Sequence, residues 1–131
     1  MAPERREPWQ HGPVSDVQLP SNPEDVKIIG LARAARARTG AAQGACLRDS
    51  DGRTYAATDV ALPHLTLPAV AVAVAMAVSS GAAGLEAVAL ASDQGPSESD
   101  LAVVGDLPGT GVVLWWTDPA GVVQSLVEID A

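Results

Sequence analysis

Apolar positions along this chain fall into short blocks punctuated by turn residues, and the blocks differ in period. The first opens at Ser21-Asn22-Pro23-Glu24-Asp25. Ser21 or Asn22 suits an N-cap, Pro23 suits the first turn, and the two acids favour the positive end of a helix dipole. A helix is predicted from there, with Val26, Ile29, Ala32 and Ala37 along one side and Thr39-Gly40 as its stop. Residues 42–47 and 53–60 are apolar runs on either side of Asp49-Ser50-Asp51-Gly52. Asp-Gly between two such runs predicts a hairpin.

The next block sets two local rules against each other. In residues 69–78, Val70, Val72, Val74, Met76 and Val78 alternate with Ala, which is strand periodicity. Yet Ala is the best helix former, and Thr66 with Pro68 has the form of a helix start. The segment reads as a buried central helix. Residues 85–91 read as a strand buried on both faces. Ser97-Glu98-Ser99-Asp100 has the form of a capping box, with Asp in place of the longer Glu, ahead of a short helix over 101–104. Residues 111–116 and 122–129 read as the last two strands, separated by the turn Asp118-Pro119-Ala120-Gly121. The predicted order is helix, strand, strand, helix, strand, helix, strand, strand. That order implies an α/β fold in three layers, α-β-α, with a mixed five-stranded sheet.

Composition refines this picture. The 131 residues suit one domain, expected over 21–131, behind a flexible, proline-rich arm at 1–20 pinned at Trp9 or Val14. Hydrophobic residues make up 47%, but there is no Phe, one Tyr and three Trp. The core must therefore be built from small side chains, which demands close approach of the elements. The uncharged stretch 65–85 is long enough to raise a membrane span. Pro68 and Ser79-Ser80-Gly81 interrupt it, so it is read as helix plus turn.

Eight basic against sixteen acidic residues give a net charge of −8. That disfavours nucleic acid or an anionic membrane as a partner. Lys27, Arg33, Arg36 and Arg38 read as a solvated helix face in preference to a phosphate site. The single cysteine, Cys46, excludes an intrachain disulfide and suits a cytoplasmic location; it is expected to be a buried, inert thiol. The first twenty residues lack the apolar run of a signal peptide.

Several segments together resemble the cytidine deaminase family. They are Ala34-Ala35-Arg36-Ala37-Arg38 at the end of the first helix, Asp51-Gly52-Arg53 in the hairpin, and Leu65-Thr66-Leu67-Pro68-Ala69-Val70 before the central helix. The last of these is similar to the family's Leu-Thr-Val-Cys-Ala-Glu stretch. Pro96-Ser97-Glu98-Ser99-Asp100 falls where the family has Pro-Cys-X-X-Cys, and Gly111-Val112-Val113-Leu114 and Asp118-Pro119-Ala120-Gly121 resemble its fourth strand and following turn. The resemblance spans about residues 24–130 and rests on order and spacing.

The resemblance implies a zinc ion held by a Cys or His and two further Cys, with a Glu that shuttles protons. Position by position, this chain has Pro68 for the first ligand, Ser97 and Asp100 for the other two, and Val70 for the proton shuttle. Pro68 offers no donor atom and Val70 cannot titrate. Zinc is therefore expected to be absent, and no catalytic residue is assigned. His64 and Cys46 have no reason to converge with Asp100 as a substitute site; His64 is expected to be exposed or hydrogen-bonded. The family's sugar-recognising Asn and Glu become Ala57 and Asp59 by ungapped matching, which leaves a vestigial ligand pocket near Asp59, Ser97 and Asp100. Thr66 and Ser97 are expected to cap the two helix ends that meet at the site, with Pro68 in the first turn of the central helix.

The leading expectation is a non-catalytic protein acting through binding or assembly, as a homodimer or homotetramer, the assembly the resemblance implies. The partner or ligand is not legible. Alternatives are an atypical active nucleoside deaminase, a small-molecule sensor, or an unrelated α/β domain, which a strand at 69–78 would reveal. Adjacent Trp115 and Trp116 must point to opposite faces of a strand; packing is the plainer role for both, against an interface or pocket role for one.

Overall fold

The computed structural model describes residues 18–129; the first seventeen residues of the expected arm lie outside that range. Helix α1 spans Pro23–Thr39. Asn22 caps it, its side chain accepting from the Glu24 N–H at 2.8 Å. Gly40 ends it in the left-handed conformation (φ 69°), donating to the Arg36 carbonyl. The buried positions of α1 are Asp25, Ile28, Ile29, Ala32 and Ala35. Val26, expected inside, is 52% exposed, and Ala37 also faces solvent. The buried stripe is rotated because Asp25, one residue earlier, has partners inside.

Strand β1 (Gly44–Asp49) and β2 (Thr54–Thr58) form the predicted antiparallel hairpin. Residues read as one strand over 53–60 then divide. Strands β3 (Val60–Leu62) and β4 (Leu65–Leu67) form a separate antiparallel ribbon that the predicted order lacked. Helix α2 spans Ala69–Ser79. The Ala/Val segment is thus helical: Ala69, Val70, Ala73, Val74 and Ala77 recur at helical spacing and are buried. Strand β5 (Leu85–Ala91), helix α3 (Glu98–Gly105), and strands β6 (Val113–Thr117) and β7 (Val123–Glu128) follow as predicted.

The five-stranded sheet has the order β2-β1-β5-β6-β7. It is mixed: β5 and β6 are parallel and the other neighbours antiparallel. Alternation along the strands divides the core. Ala45, Leu47, Val88, Leu90 and Leu114 face α2 and α3, while Cys46, Ala87, Ala89, Ala91 and Trp115 face α1. The three-layer α-β-α arrangement follows.

Small residues let α1 approach closely. A Cβ on Gly44 would run into the Ala32 carbonyl oxygen and the Arg36 Cβ. Under the start of α1, Arg48 donates to Asp25 at 2.9 Å and to Glu86 at 2.7 Å. Burial alone would lower the Arg48 pKa, but the Glu86 and Asp25 hydrogen bonds outweigh it and raise it. Asp25 also accepts from the Trp115 indole at 3.1 Å. Trp116, on the opposite face, packs against the α2/α3 core and donates to the Ser92 carbonyl at 2.9 Å. Both tryptophans therefore pack.

Candidate functional site

Register fixes where the two short helices begin. Gly44, at the start of β1, pairs with Thr58 at the end of β2 and with Ala91 at the end of β5; Ala91 pairs in turn with Thr117 at the end of β6. Residues 92–97 leave β5 at this edge and lead into α3. Helix α2 begins at the same edge, because the Ala69 N–H donates to the side-chain oxygen of Gln43, one residue before β1, at 3.0 Å. Two positive helix ends thus gather outside the carboxyl ends of the parallel pair, the usual location of a ligand crevice in α/β sheets.

Pro68, Val70, Ser97, Asp100 and Asp59 border this edge. Pro68 is the N-cap residue of α2 in an extended conformation (φ −69°, ψ 160°), with no side-chain cap of its own. It stands just before the helix, not in its first turn as expected. Thr66 does not cap α2. It is exposed and lies in β4, paired with Ala61, because the β3–β4 ribbon claims it. Val70 is fully buried in the core between α2 and the sheet.

Ser97 and Asp100 form the predicted capping box. The Ser97 hydroxyl accepts from the Asp100 N–H, and Asp100 Oδ2 accepts from the Ser97 N–H, each at 3.0 Å. Asp100 is 3% exposed, and its Oδ1 is buried without a hydrogen-bond partner. The loop carrying Ser97 is pinned by Trp116, whose ring lies 3.5 Å from where a Cβ on Gly95 would stand.

Asp59 joins the same edge from the β2–β3 junction. Its Oδ1 accepts from the Gln43 backbone N–H at 2.8 Å. Ala57 is buried in the α2-side core and offers only a methyl group. His64 sits exposed in the β3–β4 turn. Cys46 is buried on the α1 side of the sheet, the opposite face from α3, and burial pushes its thiol pKa from 9.0 up to about 11. Neither converges with Asp100.

Sequence reasoning missed Gln43. In the sequence it falls within the apolar run 42–47, and its one cue is an amide side chain near the head of that run. Its partners lie 16 and 26 residues away, beyond any local rule.

A resident zinc can be tested against these donors. Pro68 has none. The Ser97 hydroxyl is neutral and already serves the α3 end. That leaves Asp100 Oδ1 as one free carboxylate oxygen, against the three protein ligands that a catalytic zinc with an open water position takes. Among the described residues, no group of three or more His, Cys, Asp or Glu could hold a metal ion. The residues at this edge do not fit zinc.

Comparison with known proteins supports the fold reading. The family described as "Cytidine deaminase-like" matches residues 21–121. The cytidine deaminase from Burkholderia pseudomallei is similar in structure with a TM-score of 0.68 at 21% identity, covering 79% of this chain and 91% of that one. That from Mycobacterium leprae gives a TM-score of 0.62 at 18% identity, with the same coverage. That from Mycobacterium tuberculosis gives 0.58 at 26% identity, covering 67% of this chain and 80% of that one. No curated protein matches. The order of elements, the mixed sheet and the matched span agree, and the chain belongs to the cytidine deaminase-like family.

Proposed function

We propose that this chain is a non-catalytic member of its family that acts through binding or assembly. One observation carries the reading: the residue at the proton-shuttle position, Val70, is an aliphatic side chain wholly buried in the core. Hydrolytic deamination needs an activated water and a group that moves its protons. Val70 moves none, and Pro68 cannot help hold the metal that activates water. The reading therefore includes no metal cofactor.

The proposed partner is a second copy of this chain, as a homodimer or homotetramer. The exposed side of α2 carries Ala75, Met76 and Val78, with Leu62 and Leu65 exposed on the β3–β4 ribbon, and no charged residue lies between Leu62 and Leu85. On a chain of net charge −8, an uncharged apolar surface is where two copies meet with least repulsion. The acidic balance also supports a partner other than nucleic acid or an anionic membrane. Among the described residues, no helix is long and apolar enough to cross a membrane. The proposed location is the cytoplasm. Zinc analysis and cytidine turnover by the purified chain test the non-catalytic reading: neither bound zinc nor turnover is expected, and chelator-sensitive turnover overturns it.

A further inference from the structure

We infer that Gln43 is a built-in occupant of this edge, closing the α2 end from within the chain and binding Asp59 at the same time. The inference rests on the non-catalytic reading, since it says what has taken over the vacated positions.

The first helical N–H groups of α2 lack intrahelical acceptors, and such donors at a buried helix end need a partner. Ala69 is fully buried, and Pro68, its cap residue, supplies no side-chain acceptor. Gln43 supplies one from a different element, at 3.0 Å. The oxygen brings the negative end of an amide dipole to the positive end of the helix, which a bound anion or metal-held ligand would otherwise provide. The same residue uses its backbone N–H to hold the Asp59 carboxylate at 2.8 Å. Gln43 sits one residue before Gly44 and Asp59 one residue after Thr58, and Gly44 and Thr58 are register partners. The β1–β2 ladder therefore sets this bond. A single residue ties the start of β1, the end of β2 and the start of α2 together.

Amide hydrogen exchange at Ala69 in the full chain tests this directly. In the parent protein the Ala69 N–H is expected to be protected, unchanged by chelator. Gln43→Met keeps the volume and removes the acceptor; it should speed exchange at Ala69 at least tenfold and lower the melting temperature by about 3–6 °C. Gln43→Glu keeps an acceptor oxygen and should retain the protection. Unchanged Ala69 exchange in Gln43→Met, or equal loss of protection in both variants, overturns the inference. The result stands apart from the functional reading. Cytidine turnover by the parent protein refutes that reading whatever Ala69 does, and Ala69 exchange can fail this inference in a protein with no turnover.

Discussion

Ser97 and Asp100 hold each other through two reciprocal 3.0 Å hydrogen bonds, side chain to backbone in both directions. The pair caps the first turn of α3 from within the chain. Both residue types are ones a helix N-terminus selects, whereas the neutral Ser97 hydroxyl is a poor zinc ligand. Ser97→Ala should cost about 1 kcal/mol, or about 3–6 °C of melting temperature. The loss should be the same with chelator or added zinc in a thermal melt. A stabilisation by zinc that disappears in Ser97→Ala would assign the hydroxyl to a metal instead.

The buried Asp25 carboxylate is held by two hydrogen bonds. It accepts from Arg48 and from the Trp115 indole, and Arg48 reaches on to Glu86. Asp25→Ala would leave Arg48 paired with Glu86 alone and the Trp115 indole without its acceptor, a loss of about 1–3 kcal/mol. Urea unfolding followed by tryptophan fluorescence measures this, and the native emission should also change as Trp115 loses its carboxylate. A cost below about 1 kcal/mol would show that the buried pair is not holding α1 to the sheet.

Asp49 gives the fold a defined acid sensitivity. Its Oδ1 accepts from the Asp51 and Arg53 N–H groups and its Oδ2 from the Tyr55 hydroxyl. Burial pushes this carboxyl up, but the Arg53, Tyr55 and Asp51 hydrogen bonds outweigh it and hold the pKa below the ordinary 3.8. A depressed folded pKa means the contribution is complete above the ordinary value and is lost as pH falls from there through the folded value. Asp49→Asn should therefore be less stable by about 2 kcal/mol at pH 7. Its denaturation midpoint should depend less on pH below about 4 than the parent's.

The helix boundaries of α1 were legible because Asn22, Pro23 and Gly40 are local signals, and so was the capping box at Ser97. Burial around α1 was misjudged because Asp25 finds Arg48 and Trp115 only in the folded chain. The β3–β4 ribbon was hidden for a different reason. Each strand has three residues, too few for a period, and Pro63-His64 lies between two Leu residues that otherwise continue the neighbouring runs. In the candidate site, the positions Pro68, Val70, Ser97 and Asp100 could be named from spacing. Gln43 could not, since its role depends on which strand end lies under α2.

The buried thiol offers a check on the close packing under α1. With its pKa pushed up by burial to about 11, Cys46 is protonated at pH 8, and its side chain is fully buried. A thiol reagent such as a disulfide dye should label it at least a hundredfold more slowly in the native protein than in denaturant. Rapid native labelling would mean that α1 opens readily.

Assembly through α2 makes its own prediction. Met76→Glu places a charge on the exposed apolar side of the helix without touching its buried stripe. Sedimentation should show an oligomer for the parent and a monomer for the variant, with both melting cooperatively. A monomeric parent, or a variant that assembles as the parent does, would show that this surface does not carry assembly.

The proposed absence of deamination rests on Pro68 and Val70, which offer neither a metal donor nor a titratable group. The most direct measurement is ammonia release from cytidine by the purified protein, after zinc loading and again after chelation. With deamination absent as proposed, the rate is no higher than in the protein-free solution in both states. Turnover that requires zinc and disappears with the chelator would contradict the proposal.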